Sequence, residues 1–446
     1  MGEEEGKRKR NPYEDLDREE LLAKLTELEH QNKLLRQHLT SVEKNMHTHL
    51  TPDNWENDKG KPSNLKKKRK GFDFSRYNVR HVALKIAYLG WDYHGFASQE
   101  NIENTIEAHL FNALKKSCLI EERSTCNYSR CGRTDKGVSA FAQVISLHVR
   151  SNLDEGKGII VSKDPNFDVD DAKHSLNKEE INYLYVLNKL LPNEIRVIGW
   201  TPVSLDFKAR FSCMHRMYKY YFPRGNLDLK RMNEAGQKFV GEHDFRNFCK
   251  MDIGNNILSF KRNILSVEIE QLTEFGHSEY ETCTVTIKGM AFLWHQVRCI
   301  VAILFLIGQK LEEAEIIDHM LDITKCPRRP QYNMASEIPL VLYHCEYESL
   351  TWQYDEDEMQ RVFNNFQKLW TTSIIRTTMI RTLLDDLNSK KDVETKKTFR
   401  GMCLIPGHHV NSYKKILTRA LCDSLETKLE NLASKRDRRR KKLSKV

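Results

Sequence analysis

The spacing of apolar residues changes several times along the chain, and each change marks an element. From residue 14 to residue 49, Leu21, Leu25, Leu28, Asn32, Leu35, Leu39, Val42 and Met46 recur at alternating steps of four and three. That is a heptad seam and predicts one long helix, with polar Asn32 at an inward position where it would fix the register of a two-stranded coiled coil. Packing onto another protein or onto RNA, or a solitary exposed helix, satisfies the same seam. Residues 51–71 lose the pattern and are polar and Lys-rich, which predicts a linker.

The pattern of a folded body starts near Phe72. His81–Leu89 is apolar and β-rich and predicts a strand, followed by a turn over Gly90–Gly95. Thr105–Lys116 places Ile106, Leu110, Ala113 and Leu114 on one helical face. Ser139–Val149 alternates with a period of two, as a strand does. The Asp- and Lys-rich stretch 151–178 reads as an inserted loop, Glu179–Leu191 as a helix stopped by Pro192, and Ile195–Trp200 as a strand. The second half repeats this loosely. A strand is expected at Arg216–Phe222, a helix at Leu229–Phe239, paired strands at Ile264–Leu272 and Glu281–Ile287, and a mostly apolar helix at Phe292–Gly308.

Two strand–helix–strand–strand halves predict an α+β fold, with a mixed, mostly antiparallel central sheet flanked by helices. The implied divisions are an N-terminal helix at 1–50, a basic linker at 51–71, and catalytic-domain halves at 72–212 and 213–350. A helical extension with a basic tail follows at 351–446, where Leu417, Leu421, Leu425, Leu429 and Leu432 suggest one last amphipathic helix.

Charge sharpens this picture more by its distribution than by its sum. Seventy-one Lys and Arg face 62 Asp and Glu, a net charge of +9. The excess is clumped into Lys66-Lys67-Lys68-Arg69-Lys70 and the block from Lys435 to Lys442. Such blocks attract polyanions through counterion release, and serve equally as solvated tails or nuclear-import signals. The 11 cysteines include no CxxC pair, which argues for reduced thiols and against a metal site. No apolar stretch follows the acidic and basic start, so no signal peptide is expected, and the longest apolar run, Ile300–Ile307, is too short to span a bilayer. A soluble protein of nucleus and cytoplasm, with no membrane partner, is the expectation.

The chemistry concentrates in Arg130-Cys131-Gly132-Arg133-Thr134-Asp135-Lys136-Gly137-Val138-Ser139-Ala140, a predicted loop between a helix and a strand. Arg133 and Lys136 flank Asp135, and nearby cations favour the ionised carboxylate that a nucleophile or base requires. Taken bare, Arg-Thr-Asp in a glycine loop also describes a turn closed by an Asx hydrogen bond.

Gly132-Arg133-Thr134-Asp135-x-Gly137-Val138 resembles the signature loop of the TruA-type tRNA pseudouridine synthases. Other segments fall in that family's order: Tyr88–Phe96, then Ala209–Ser212 with Arg216–Tyr220, then Gly241–Phe245, then Ala291–Arg298. The family's frequent Gly-Trp is here Gly95-Phe96. The resemblance spans roughly residues 72–348. Asp73-Phe74-Ser75, Phe96–Glu100, Cys249–Asp252 and Arg329–Tyr332 are similar to the eukaryotic branch that modifies tRNA positions 38 and 39.

The resemblance implies the pseudouridine synthase fold, tRNA as partner, a homodimer, and no cofactor. It implies Asp135 as the catalytic carboxylate, Tyr218 as the ring that stacks on the target base, and Arg133 as the residue for base flipping and RNA backbone. It implies an ion pair from Arg298 to Asp135. His295 and Lys136 are weaker candidates for contacting RNA, and Arg210 with Phe211 is expected to brace the cleft. Each role has a plainer reading: Tyr218 as a core aromatic, Arg133 as a clamp on loop carbonyls, Arg298 at a wet helix edge, His295 as a buried histidine. At the level of the whole chain the rival is an inactive tRNA-binding chaperone or scaffold of the same fold. A basic leucine zipper is excluded by order, because the basic run follows the heptads beyond Pro52 and Pro62.

Overall fold

Strand β1 (Asn78–Tyr88) is buried along nearly its whole length, and the sheet covers it on both edges. It pairs antiparallel with β3 (Ser139–Ser151) on one side and with β5 (Ile195–Pro202) on the other. The two-residue strands β2 (Ser129–Arg130) and β4 (Ile159–Ile160) add to β3 and β1. The computed structural model describes residues 72–162, 179–251, 259–272, 281–390, 413–430 and 434. The heptad segment, the linker and both basic blocks lie outside the described residues.

The second half builds an antiparallel set from β6 (Cys213–Pro223), β7 (Gly241–Asp244), β8 (Lys261–Gln271) and β9 (Thr282–Gly289). Strand β10 (Leu340–Tyr347) joins the halves, running antiparallel to β6 and parallel to β3. The result is a mixed ten-stranded sheet of order β4-β1-β3-β10-β6-β9-β8-β7, with β2 on β3 and β5 on β1. The α+β expectation holds. Strand β10 was not anticipated, although it occupies the centre.

Helix α1 (Ile106–Lys116) starts where Thr105 caps it, its hydroxyl oxygen accepting from the Ala108 amide at 3.3 Å. Helix α2 (Tyr183–Asn188) is shorter than its apolar pattern, because Asn182 caps it late by accepting from the Tyr185 amide. Helix α3 (Leu229–Gly236) tightens into a 3-10 turn over Gln237–Phe239. Helix α4 (Gln296–Gly308) is buried on nearly every face and begins four residues later than expected. Just before it, His295 adopts a left-handed backbone, φ 62.

Helix α5 (Glu315–Leu321) and the 34-residue α6 (Glu356–Ser389) complete the helices. Expected helix positions Leu417 and Leu421 lie instead in a 3-10 turn and in a bridge to Pro330, and helical backbone covers 425–430. Two cores result. Leu84, Ile86, Leu110, Val144 and Val197 fill one, and Phe222, Met232, Phe239, Ile300 and Phe305 the other. Each fully buried side chain of this size contributes about 1.5–3 kcal/mol. No described helix is long and apolar enough to cross a membrane.

Candidate active site

The loop from Cys131 to Val138 leaves β2 and enters β3, and hydrogen bonds hold it at both feet. Upstream, Arg130 pairs with Glu107 of α1, whose side chain has no solvent exposure. The same carboxylate accepts from Tyr128 Oη at 2.7 Å, Arg123 at 2.8 Å and the Ser98 amide at 2.9 Å. Burial opposes the charge on Glu107, yet these donors outweigh it and hold the carboxyl below its ordinary range. Buried Gln143 brackets Gly132, accepting from its N–H at 3.3 Å and donating to its carbonyl at 3.0 Å.

Thr134 is tied to Tyr88 Oη at 2.7 Å, and its carbonyl accepts from the Phe96 amide. Downstream, the Gly137 amide donates to the Tyr93 carbonyl, and the Gly90 amide donates to Ser139 Oγ. Gly137 has φ +79, and an added Cβ would lie 2.9 Å from Glu337 Cγ, so the turn and the close approach both demand glycine there. Gly132 carries no such demand. It has open space around it and an ordinary φ, so the sharp turn rests on Gly137.

Asp135 emerges from this frame half-buried. Trp294 Nε1 donates to its Oδ1 at 3.0 Å, and His295 Nε2 lies 3.2 Å from its Oδ2. Both residues belong to the turn that precedes α4. The Lys250 ammonium sits 4.7 Å over the ring of Trp294, the indole that donates to the carboxylate. Among the described residues His295 Nδ1 is buried with no hydrogen-bond partner.

The expected Arg298–Asp135 ion pair is replaced by another. Arg298 Nη2 meets Glu337 Oε2 at 2.8 Å, and its Nε donates to the Ala335 carbonyl at 2.7 Å. Arg298 stands three residues beyond His295, nearly one turn further along the helix, and so reaches Glu337 rather than the carboxylate in front. Its charge is paired, as a poorly exposed guanidinium requires, and Glu337 packs behind Gly137.

Tyr218 lies on β6 opposite Leu342 of β10, and the other neighbour of Leu342 is Ala140 of β3, five residues after Asp135. Its ring meets Phe292 edge-on at 5.1 Å, and burial pushes its phenol well above the ordinary range, so it stays protonated. The register thus links Tyr218 to the strand that the Asp135 loop enters, and Phe292 links it to the turn that carries Trp294 and His295.

Arg133 and Lys136 are exposed on the loop. Arg210 is also exposed, its guanidinium 5.6 Å from the Phe211 ring. Phe211 is 80% exposed, so this pair presents a cation and an aromatic face to solvent instead of bracing a cleft. A separate concavity between α2 and α6, lined by Lys189, Arg196, Glu358 and Arg361, includes no residue of the loop.

Sequence reading passed over Glu107, Gln143, Trp294 and Glu337. A lone Glu inside an apolar helix face was the visible signal for Glu107. Trp294 stood in the Ala291–Arg298 segment with no role given to it, and Gln143 and Glu337 carry no local signature, because their partners lie at least eleven residues away.

Known proteins resemble the chain over most of its length. Residues 235–348 match the tRNA pseudouridine synthase family. A tRNA pseudouridine(38/39) synthase from Bos taurus is 42% identical across 94% of this chain and 89% of its own length. A tRNA pseudouridine(38/39) synthase from Saccharomyces cerevisiae is 43% identical across 76% of this chain and 73% of its own length. A tRNA pseudouridine synthase A from Pyrococcus furiosus is 31% identical across 63% of this chain and 88% of its own length. With identity at this level extending along almost the whole sequence, the chain belongs to the tRNA pseudouridine synthase family.

Proposed function

We propose that this protein isomerises uridine to pseudouridine in the anticodon arm of tRNA, at positions 38 and 39, with Asp135 as the catalytic carboxylate. One observation carries the assignment of Asp135. A half-buried carboxylate stands on a loop fixed at both feet, accepts an indole N–H from Trp294, and faces the imidazole of His295. The position preference rests on the names of relatives more than 40% identical.

The reaction breaks the bond between ribose and a base nitrogen, turns the base, and joins ribose to a base carbon. It gains and loses no electrons overall and leaves the atoms of the nucleotide conserved, so it calls for no cofactor. Asp135 acts as covalent partner to ribose or to base and is expelled when the new bond closes. The uridine must first leave its stack, which costs a few kcal/mol and calls for a replacement surface. Tyr218 supplies that surface, and its protonated phenol can exchange a hydrogen bond with the base. Arg133 and Lys136 meet the RNA backbone, and Arg210 with Phe211 offers a further stacking and phosphate contact. Trp294 and His295 hold the carboxylate in line, while Arg298 stabilises the loop from behind through Glu337. The protein works as a homodimer in nucleus and cytoplasm; the basic blocks favour nuclear entry.

The test is to incubate pure protein with unmodified tRNA transcripts and map pseudouridines by carbodiimide chemistry and mass spectrometry. Conversion at positions 38 and 39 is expected for the wild type. Asp135→Ala should bind tRNA normally and form no product. A fully active Asp135→Ala protein ends the assignment, and tight binding without conversion by the wild type favours the scaffold reading.

A further inference from the structure

Three cysteines far apart in sequence converge immediately behind the Asp135 loop. Cys131 stands between β2 and Gly132, Cys213 opens β6, and Cys345 lies in β10 opposite Arg216. Their sulfurs all lie within 4.8 Å of one another, the Cys131 and Cys345 pair at 3.4 Å, and all three residues are buried. Sulfurs around a tetrahedral zinc stand about 3.8 Å apart, given Zn–S bonds of about 2.3 Å. The trio is therefore about 1 Å from a metal-binding arrangement before any ion pulls it together.

A second observation concerns charge. Arg216 is half-buried beside the cluster and donates to the carbonyls of Cys131, Cys213, Arg210 and Met290. Among the described residues no carboxylate pairs with it. A semi-buried guanidinium without an anion is costly, and the thiols beside it are the groups that can become anions.

We propose that Cys131, Cys213 and Cys345 bind one divalent thiophilic cation of the zinc class. Binding releases three protons, one from each thiol, and leaves a tris-thiolate complex of charge −1. The guanidinium of Arg216 neutralises it. A monovalent ion such as copper(I) would leave charge −2 against a single positive group, so the pocket favours the divalent ion. The Tyr347 phenol, beside Cys131 and donating to the Ala209 carbonyl, offers a neutral fourth oxygen. An ion here would pin the upstream foot of the loop to β6 and to β10, the strand that joins the halves.

The test uses full-length protein, reduced, stripped with chelator and titrated anaerobically with cadmium(II), whose thiolate charge-transfer absorbance reports sulfur ligation. The band should rise to an endpoint of one equivalent and be competed away by zinc(II). Cys345→Ser and Cys213→Ala should each weaken binding by more than the roughly ten- to hundredfold that substitutions outside the ligand shell cost. Cys283→Ser, at a buried cysteine outside the cluster, should leave the titration unchanged. Should a cluster variant fail to fold, cadmium NMR of the wild-type protein keeps the proposal open to refutation, since a sulfur-rich shell gives a strongly downfield resonance. No band at one equivalent, a band indifferent to Cys345→Ser, a resonance typical of oxygen and nitrogen ligands, or uptake of copper(I) but neither divalent ion overturns it.

Discussion

On the N-terminal side of the sheet, helix α1 buries a carboxylate; on the C-terminal side, helix α4 buries almost nothing but hydrocarbon. Glu107 has no exposure and accepts from four donors, two of them guanidinium groups. In α4 the run from Cys299 to Gly308 is buried without a charged residue. The first arrangement is all-or-none, because removing one partner strands the others in a low-dielectric interior. The second is graded, because its energy is spread over many weak contacts and tolerates changes that conserve volume. The chemistry sits at their junction. A loop anchored by the polar network presents Asp135 to a turn that the apolar helix supports.

The largest expected effect breaks the polar side. Glu107→Gln keeps the shape but leaves Arg130 without its counter-charge, and should cost about 3–5 kcal/mol, nearer the lower figure because Arg123 is 41% exposed. Chemical denaturation would measure it, and a loss under about 1 kcal/mol would erase the contrast. At the junction, Trp294→Phe removes the indole donor and keeps the ring. Turnover of bound tRNA should fall about tenfold, the equivalent of one hydrogen bond to a charged group, with stability unchanged within about 0.5 kcal/mol. Single-turnover kinetics would show it. On the apolar side, Ile303→Val should cost only about 0.5–1.5 kcal/mol despite complete burial.

Acid supplies the smallest and most specific probe. The Glu107 carboxyl is depressed in the folded protein, so its contribution to stability is complete above the unfolded value of about 4.3 and fades as pH falls through the folded value. Thermal melts of wild type and Glu107→Gln should therefore stay well separated at neutral pH and draw together below about pH 4. A separation that persists unchanged in acid would mean the carboxylate is not the source of the difference.

Some of this was legible in the residues and some was not, for reasons that differ. Strands β1, β3, β6, β8 and β9 announce themselves by period and branching, and the α1 start by the Thr105 cap. The Asp135 loop was readable because its glycines and charges are contiguous. The start of α4 was misplaced because Phe292–His295 is apolar enough to continue a helix, and only the left-handed His295 backbone ends it. That shift of four residues is what puts Trp294 and His295 against Asp135. The partner of Arg298 was misjudged for a related reason: Glu337 lies 39 residues away, and no periodicity connects them. The helical extension expected at 351–446 gave no bounds for α6, because Phe363, Trp370, Met379 and Leu383 are all exposed and trace no single buried stripe.

Strand β10 has a consequence for when the enzyme comes into being. A ribosome that has released the chain through α4 has delivered Asp135, Tyr218 and Arg298, but the seam between β3 and β6 is still empty. Residues 340–347 must emerge and slot between two strands already made before the loop and the tyrosine share a common floor. Closure across so long a stretch of chain is slow compared with local pairing. A chain cut before residue 340 is thus expected to hold every reactive residue but no strand joining the loop's half to the tyrosine's.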